Sequence, residues 1–134
     1  MTPHLFHNRV YHEDTDLAGI VYYANYLKFI ERARSEWVEG LGIDQGALKA
    51  AQGIVFAVRR VEADFLRPAR FADHLTVATV VQSLGGARLV LAQTVLRGGE
   101  RLFAASVTLV CLTGDGRAAR LPAGLREKLA GTAR

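Results

Sequence analysis

At 134 residues the chain suits one domain, residues 1–134, which at that size buries roughly two-thirds of the surface its unfolded form exposes. Half of the residues are hydrophobic, yet no apolar run approaches the ~18 residues of a membrane span, and the N-terminus lacks the basic start and apolar stretch of a secretory signal, so a cytoplasmic protein is expected. The net charge of +4 comes mostly from arginine, but no helix is basic along one face and no aromatic–basic interleaving appears, which argues against nucleic acid; the single Cys111 excludes an internal disulfide and has the apolar strand context of a core thiol.

In chain order, Leu5 to Tyr11 alternates in polarity and predicts a first strand. A connection follows that carries Asp14 and Asp16 and, three residues after the second, the conformationally permissive Gly19. The period then becomes helical. Tyr26, Ile30, Ala33 and Trp37 fall on one arc with Tyr23 and Leu27 on its flank, while Lys28, Glu31, Arg32, Ser35 and Glu39 cover the opposite side. Asn25 is the expected N-cap, and Gly40 and Gly42 end the helix near Leu41. The positive end of the helix and its unpaired N–H groups therefore face the acidic connection, a compact arrangement for carbonyl chemistry.

After Gly42, Asp44 caps a short helix over Gln45–Ala51 that Gly53 closes. From Ile54 the period is two. Ile54, Phe56 and Val58 share one parity and Val61, Ala63 and Phe65 the other, so the register slips near Arg59, as at a bulge, and Pro68 ends the strand. Strands over Leu75–Leu84, Ala87–Arg97 and Arg101–Thr113, separated by glycine turns, predict a meander. The last is apolar on both faces, with Leu102, Ala104, Val110 and Leu112 on one and Phe103, Ala105, Val107, Leu109 and Cys111 on the other; another subunit is expected to cover the second face or extend the sheet. Pro122 to Ala130 closes the chain as a short helix.

The order is strand, long helix, four strands: an α+β layer with one helix against an antiparallel sheet. Tyr11-x-x-Asp14-Thr15-Asp16-x-x-Gly19-x-Val21-Tyr22-Tyr23-x-x-Tyr26, followed by Phe29-x-Glu31-x-Ala33-Arg34, Phe56-x-Val58-Arg59 and Arg67-Pro68-Ala69-Arg70, resembles the hot-dog-fold acyl-CoA thioesterases. Within them the likeness is to the YbgC-like, Tol-Pal-associated branch, related to 4-hydroxybenzoyl-CoA thioesterase. The resemblance implies a five-stranded antiparallel sheet wrapped around one long central helix, dimers whose sheets join edge to edge, and homotetramers built from two dimers. It implies Asp16 as the catalytic carboxylate, the backbone N–H of Tyr23 as the group that polarises the thioester carbonyl, and CoA phosphates held on basic residues across a subunit interface. Many members of the branch carry His where this chain has Tyr23, so any role of that imidazole is absent here, while the backbone donor is untouched.

The residues support such chemistry. A thioester oxygen gains negative charge when its carbonyl is attacked, and one N–H donor aimed at it in a dry pocket is worth ~10²–10³ in rate. A thiol of pKa about 8.5 leaves with little acid assistance, so one carboxylate suffices. Asp16 either attacks to form an acyl anhydride or activates water as a general base. Asp14 divides between supporting the loop and solvated surface. Tyr11 either orients Asp16 or packs. Glu31 either pairs on the surface or touches the acyl pocket, and Arg34, on the flank of the arc, calls for a buried partner. Arg59, Arg60, Arg67 and Arg70 are structural or bind phosphate. His7, His12, Glu13, Asp14 and Asp16 are close in sequence but lack the spacing of a metal site, and no cofactor is implied. The alternative to an acyl-CoA or acyl-carrier-protein hydrolase is a non-catalytic scaffold that binds an acyl group or carrier protein in the same groove.

Overall fold

Five period-two segments form one antiparallel sheet in the computed structural model, which describes residues 2–130. The strands are β1 (His4–Arg9), β2 (Val55–Phe65), β3 (His74–Leu84), β4 (Arg88–Arg97) and β5 (Glu100–Leu112), in the order β1-β3-β4-β5-β2. The meander β3-β4-β5 is as expected. β2 does not pair with its sequence neighbour β3; it crosses to the far edge and pairs with β5, leaving β1 on the opposite edge against β3.

Three helices accompany the sheet: α1 (Asn25–Gly40), α2 (Gln45–Gln52) and α3 (Ala123–Ala130). α1 buries Tyr26, Ile30, Ala33 and Trp37 as expected, together with Phe29 and Val38, all under a tenth exposed, against inward residues of the sheet such as Val77, Leu91 and Val107, whereas the expected flank of Tyr23 and Leu27 is exposed. Burying one such large side chain contributes about 1.5–3 kcal/mol, which makes this single stripe the main attachment of helix to sheet. α2 follows its sequence signals: the Asp44 side chain accepts from the Ala47 N–H at 2.9 Å, and Gly53 closes the helix at φ 66°.

The register slip is real. Val58 lies opposite Leu109 and Arg60 opposite Thr108, so Arg59 is the extra residue of a bulge, and beyond it Val61, Ala63 and Phe65 turn inward opposite Val107, Ala105 and Phe103. A second irregularity, between Val95 and Leu96 in their pairing with β5, corrects one assignment. Simple alternation puts Leu102 on the outer face of β5, but the bulge turns it inward beside Phe103, and both are fully buried. The remaining outward residues of β5, from Ala104 to Leu112, are only partly covered within one chain.

One polar side chain lies at the centre of the core. Gln93 on β4 is 0% exposed; its Nε2 donates to the Ile30 carbonyl and the Thr79 hydroxyl, both at 3.0 Å, and its Oε1 accepts from Arg34 Nη1 at 3.0 Å. This is the buried partner that Arg34 calls for. Every polar atom of the amide is satisfied, as a buried group requires.

Candidate active site

Asp16 opens a tight turn. Its N–H donates to the Ile20 carbonyl at 2.9 Å, its carbonyl accepts from Gly19 N–H at 3.0 Å, and Gly19 takes φ 79°, a conformation that strains any residue with a Cβ. Asp16 Oδ1 accepts from the Ala18 N–H at 2.9 Å. Among the described residues Oδ2 has no hydrogen bond, so one carboxylate oxygen steadies the turn while the other is available. Leu17, at the tip, is fully solvent-exposed.

Asp14 plays the supporting part. Its carboxylate accepts from the Tyr11 N–H at 2.8 Å and closes a short 3₁₀ turn over His12–Asp14, while its carbonyl accepts from both the Tyr22 N–H and Asn25 Nδ2, each at 2.9 Å. That pair of bonds ties the acid turn to the start of α1. It also corrects the expected cap. Asn25 is the first helical residue and its amide is committed to Asp14, so the cap position falls to Ala24, already helical in φ/ψ and without a side-chain bond.

The helix start compensates by tightening. Asn25, Tyr26 and Leu27 donate to the carbonyls of Tyr22, Tyr23 and Ala24, which leaves the N–H groups of Tyr23 and Ala24 without a partner among the described residues. They sit at the positive end of α1, where an oxyanion is favoured. Ala24 is a donor that the sequence did not single out. An aromatic group supports this end from below: Tyr26 stacks on Phe103 at 4.9 Å, and Phe65 meets Tyr23, Tyr26 and Phe103 at 6.1, 5.7 and 5.2 Å.

Residues 66–73 lie over the acid turn. Val21 N–H donates to the Ala69 carbonyl at 2.8 Å, Ala69 N–H donates to Tyr26 Oη at 3.1 Å, Ile20 bridges to Arg70, and Phe71 stacks on His12 at 3.9 Å. Burial pushes the Tyr26 phenol above its ordinary pKa, so it remains a neutral hydroxyl and accepts from Ala69 as such.

The other singled-out residues separate. Tyr11 is about half exposed beneath the Arg9 guanidinium, 5.4 Å from its ring centroid, and among the described residues no hydrogen bond joins it to Asp16. Arg60 pairs with Glu62 at 3.1 Å on the edge strand, whereas Arg67 pairs with Glu100 at 3.3 Å and Arg70 lies beside the acid turn. Arg59 and Arg60 are thus on the edge of the sheet, with roughly 16 Å of strand between Arg60 and Phe65 before the Arg67–Arg70 segment begins. Glu31 is exposed and accepts from Ser35 Oγ at 3.1 Å, the expected surface pairing. It lines two adjoining cavities, of about 620 and 290 Å³, that run along α1 and share Arg34 and Val58; Leu27 and Val61 flank the first, Trp37 and Leu109 the second. Burial lowers the pKa of Arg34 from its ordinary value and nearby Glu31 opposes the shift. Asp16 and Tyr23 do not line this groove, which begins one helical turn beyond Tyr23 at Leu27. The thiol of Cys111 is buried in the core, which raises its pKa.

A five-stranded antiparallel sheet wrapped on one long helix is the hot-dog fold, and here the acid turn lies at the positive end of that helix. Residues 10–129 match the family described as the thioesterase-like superfamily. The acyl-CoA thioesterase YbgC of Haemophilus influenzae is 38% identical over 104 residues, 78% of this chain and 76% of that protein. The crystal structure of a probable thioesterase from Bartonella henselae superposes with a TM-score of 0.86 at 38% identity, covering 90% of this chain and 99% of that one. A mutant of 4-hydroxybenzoyl-CoA thioesterase, complexed with 4-hydroxybenzoyl-CoA, shares the fold at a TM-score of 0.89 and 24% identity, covering 96% and 99%. The chain belongs to the thioesterase-like superfamily and is a thioester hydrolase.

Proposed function

We propose that the protein hydrolyses acyl-CoA to free acid and thiol, with Asp16 as the catalytic carboxylate and the Tyr23 N–H as the donor to the carbonyl oxygen. The observation that carries this reading is a pairing: a carboxylate oxygen and two backbone donors, all without partners among the described residues, on segments tied together through the Asp14 carbonyl. In the reaction, either water, giving a proton to Asp16, or the Asp16 carboxylate itself adds to the carbonyl carbon, the oxygen takes the negative charge and is held by Tyr23 N–H, and the C–S bond breaks to release thiolate. An anhydride formed by direct attack is then opened by water, returning Asp16. The acyl group extends along α1 past Glu31, into the groove walled by Leu27, Val58 and Val61.

The phosphates of CoA fall to Arg59, Arg60, Arg67 and Arg70. The pairs Arg60–Glu62 and Arg67–Glu100 are exposed and screened by water, so exchanging a carboxylate for a phosphate there costs little. Because the groove stops short of Asp16, a second chain joined along β2 is required to close the site, and two such dimers make a tetramer. A cytoplasmic location and the use of carrier-protein thioesters belong to the same proposal; among the described residues no helix is long and apolar enough to cross a membrane.

Thiol release from a panel of acyl-CoAs, measured for the parent and for Asp16→Asn, tests this. The expected result is hydrolysis of at least one acyl-CoA by the parent and a loss of ~10²–10⁴ in the variant. Equal trace-level hydrolysis by both proteins favours the non-catalytic scaffold instead.

A further inference from the structure

Residues 66–73 form a strap that leaves β2, passes over the acid turn and enters β3. Its start is fixed where the N–H groups of Leu66 and Arg67 both donate to the Leu102 carbonyl, at 2.8 and 3.1 Å. Its end is fixed by Ala72 N–H on the Val10 carbonyl and Val10 N–H on the Asp73 carbonyl, at 2.9 and 3.0 Å. Between them the chain passes through Ala72 at φ 70°, a left-handed position held by a residue with a Cβ, so this segment is strained and does not keep its shape by local preference.

One side chain from outside the strap closes it. Arg97, the last residue of β4, donates through Nη1 to Asp73 Oδ2 at 2.7 Å and to the Pro68 carbonyl at 3.3 Å, and through Nη2 and Nε to Glu100 Oε1 at 2.7 and 3.2 Å. Pro68 and Asp73 bracket the strap's central residues, Ala69 to Phe71, and these are the ones that touch the acid turn and the start of α1. Asp73 is the shared acceptor: its Oδ2 also takes the Arg70 N–H at 2.8 Å. Burial alone raises the pKa of its carboxyl, but the bonds from Arg70 and Arg97 outweigh that and hold it below its ordinary value, so it is ionised at neutral pH.

We propose that Arg97 is a positioning residue for thioester hydrolysis: by clamping Pro68 and Asp73 it fixes the strap that sets Asp16 against the Tyr23 N–H. It touches neither substrate nor reacting atoms. Its planar fork serves three acceptors at once, which the single ammonium of lysine cannot reproduce. A misplacement of about 1 Å at a reacting centre costs ~10²-fold in rate, so loosening the strap is expected to appear in kcat before it appears in binding.

The inference rests on the thioesterase reading, and two measurements keep their failures apart. Arg97→Met and Arg97→Lys are compared with the parent for acyl-CoA hydrolysis below the unfolding transition, and for amide exchange resolved by residue. The expected result is a fall of roughly ten- to a hundredfold in kcat for Arg97→Met with KM rising by a smaller factor, partial recovery in Arg97→Lys, and faster exchange at Val21 and Ala69 with α2 unchanged. A variant that melts earlier yet keeps the parent kcat and the parent exchange at Val21 overturns the inference and leaves the activity standing. A parent without hydrolysis removes the activity, and exchange at Val21 and Ala69 then decides whether Arg97 clamps the strap: no acceleration overturns it.

Discussion

Gly19 decides whether the acid turn can exist. Its φ of 79° is one a side chain disfavours, and a Cβ built there meets no heavy atom within 4 Å, so substitution adds backbone strain without a clash. Gly19→Ala is therefore expected to cost about 1–2 kcal/mol of stability in chemical denaturation and to lower kcat, because the turn that presents Asp16 relaxes away from the start of α1. Unchanged stability would show that the turn already tolerates a Cβ. Asp14 and Asp16, two residues apart, carry different duties for a geometric reason. The first has spent its carboxylate on Tyr11 and its carbonyl on the helix; the second keeps an oxygen in hand.

At the level of elements, the fixed point is the seam between α1 and β4. Gln93 holds the Ile30 carbonyl, Thr79 and Arg34 together inside the core, and an arginine half-withdrawn from water needs that acceptor. A hydrogen bond to a charged group contributes about 1.5–3 kcal/mol, so Gln93→Leu should lose about 2–3 kcal/mol in denaturant titration despite its greater hydrophobicity. A neutral or stabilising outcome would mean that Arg34 turns outward into the groove beside Glu31 instead. The seam also shows where sequence runs out. Gln93 has the inward parity of Leu91 and Val95, so its burial was legible; its partner lies 59 residues away and was not. The slip at Arg59 was legible because both halves of β2 declare their parity, whereas the bulge at Leu102 was hidden by apolar residues on both faces of β5. The cap at Asn25 failed for a related reason: its amide had a better offer from a carbonyl across the acid turn. The turn at Gly19 and the helix that follows, being local, could be placed to within a residue or so, but the strap that holds them is built from contacts between distant segments.

For the whole molecule, β1 and β2 are the two open edges of the sheet, and β2 is the longer. It runs for eleven residues, with Arg59, Arg60, Glu62 and Asp64 exposed along it and β5 on its other side. An edge of this length invites a partner strand, and its charges select which one. Laid antiparallel on a second copy about an axis at Val61, Arg60 of each chain lies opposite Glu62 of the other, whereas a parallel copy in register sets like charges opposite one another. The proposed dimer is thus self-complementary in sign as well as in hydrogen bonding, and it brings a second β2 to the groove that ends short of Asp16. Replacing both Glu62 and Asp64 with lysine leaves only positive charges among residues 59–64. At low ionic strength, where such charges are least screened, light scattering should find the mass reduced towards a single chain. Adding Arg59→Glu and Arg60→Glu restores opposite signs across the axis and should restore the mass. If the protein carrying only the two lysine replacements stays as large as the parent, β2 is not the joining edge, and the site must be completed through the partly covered outer face of β5 instead.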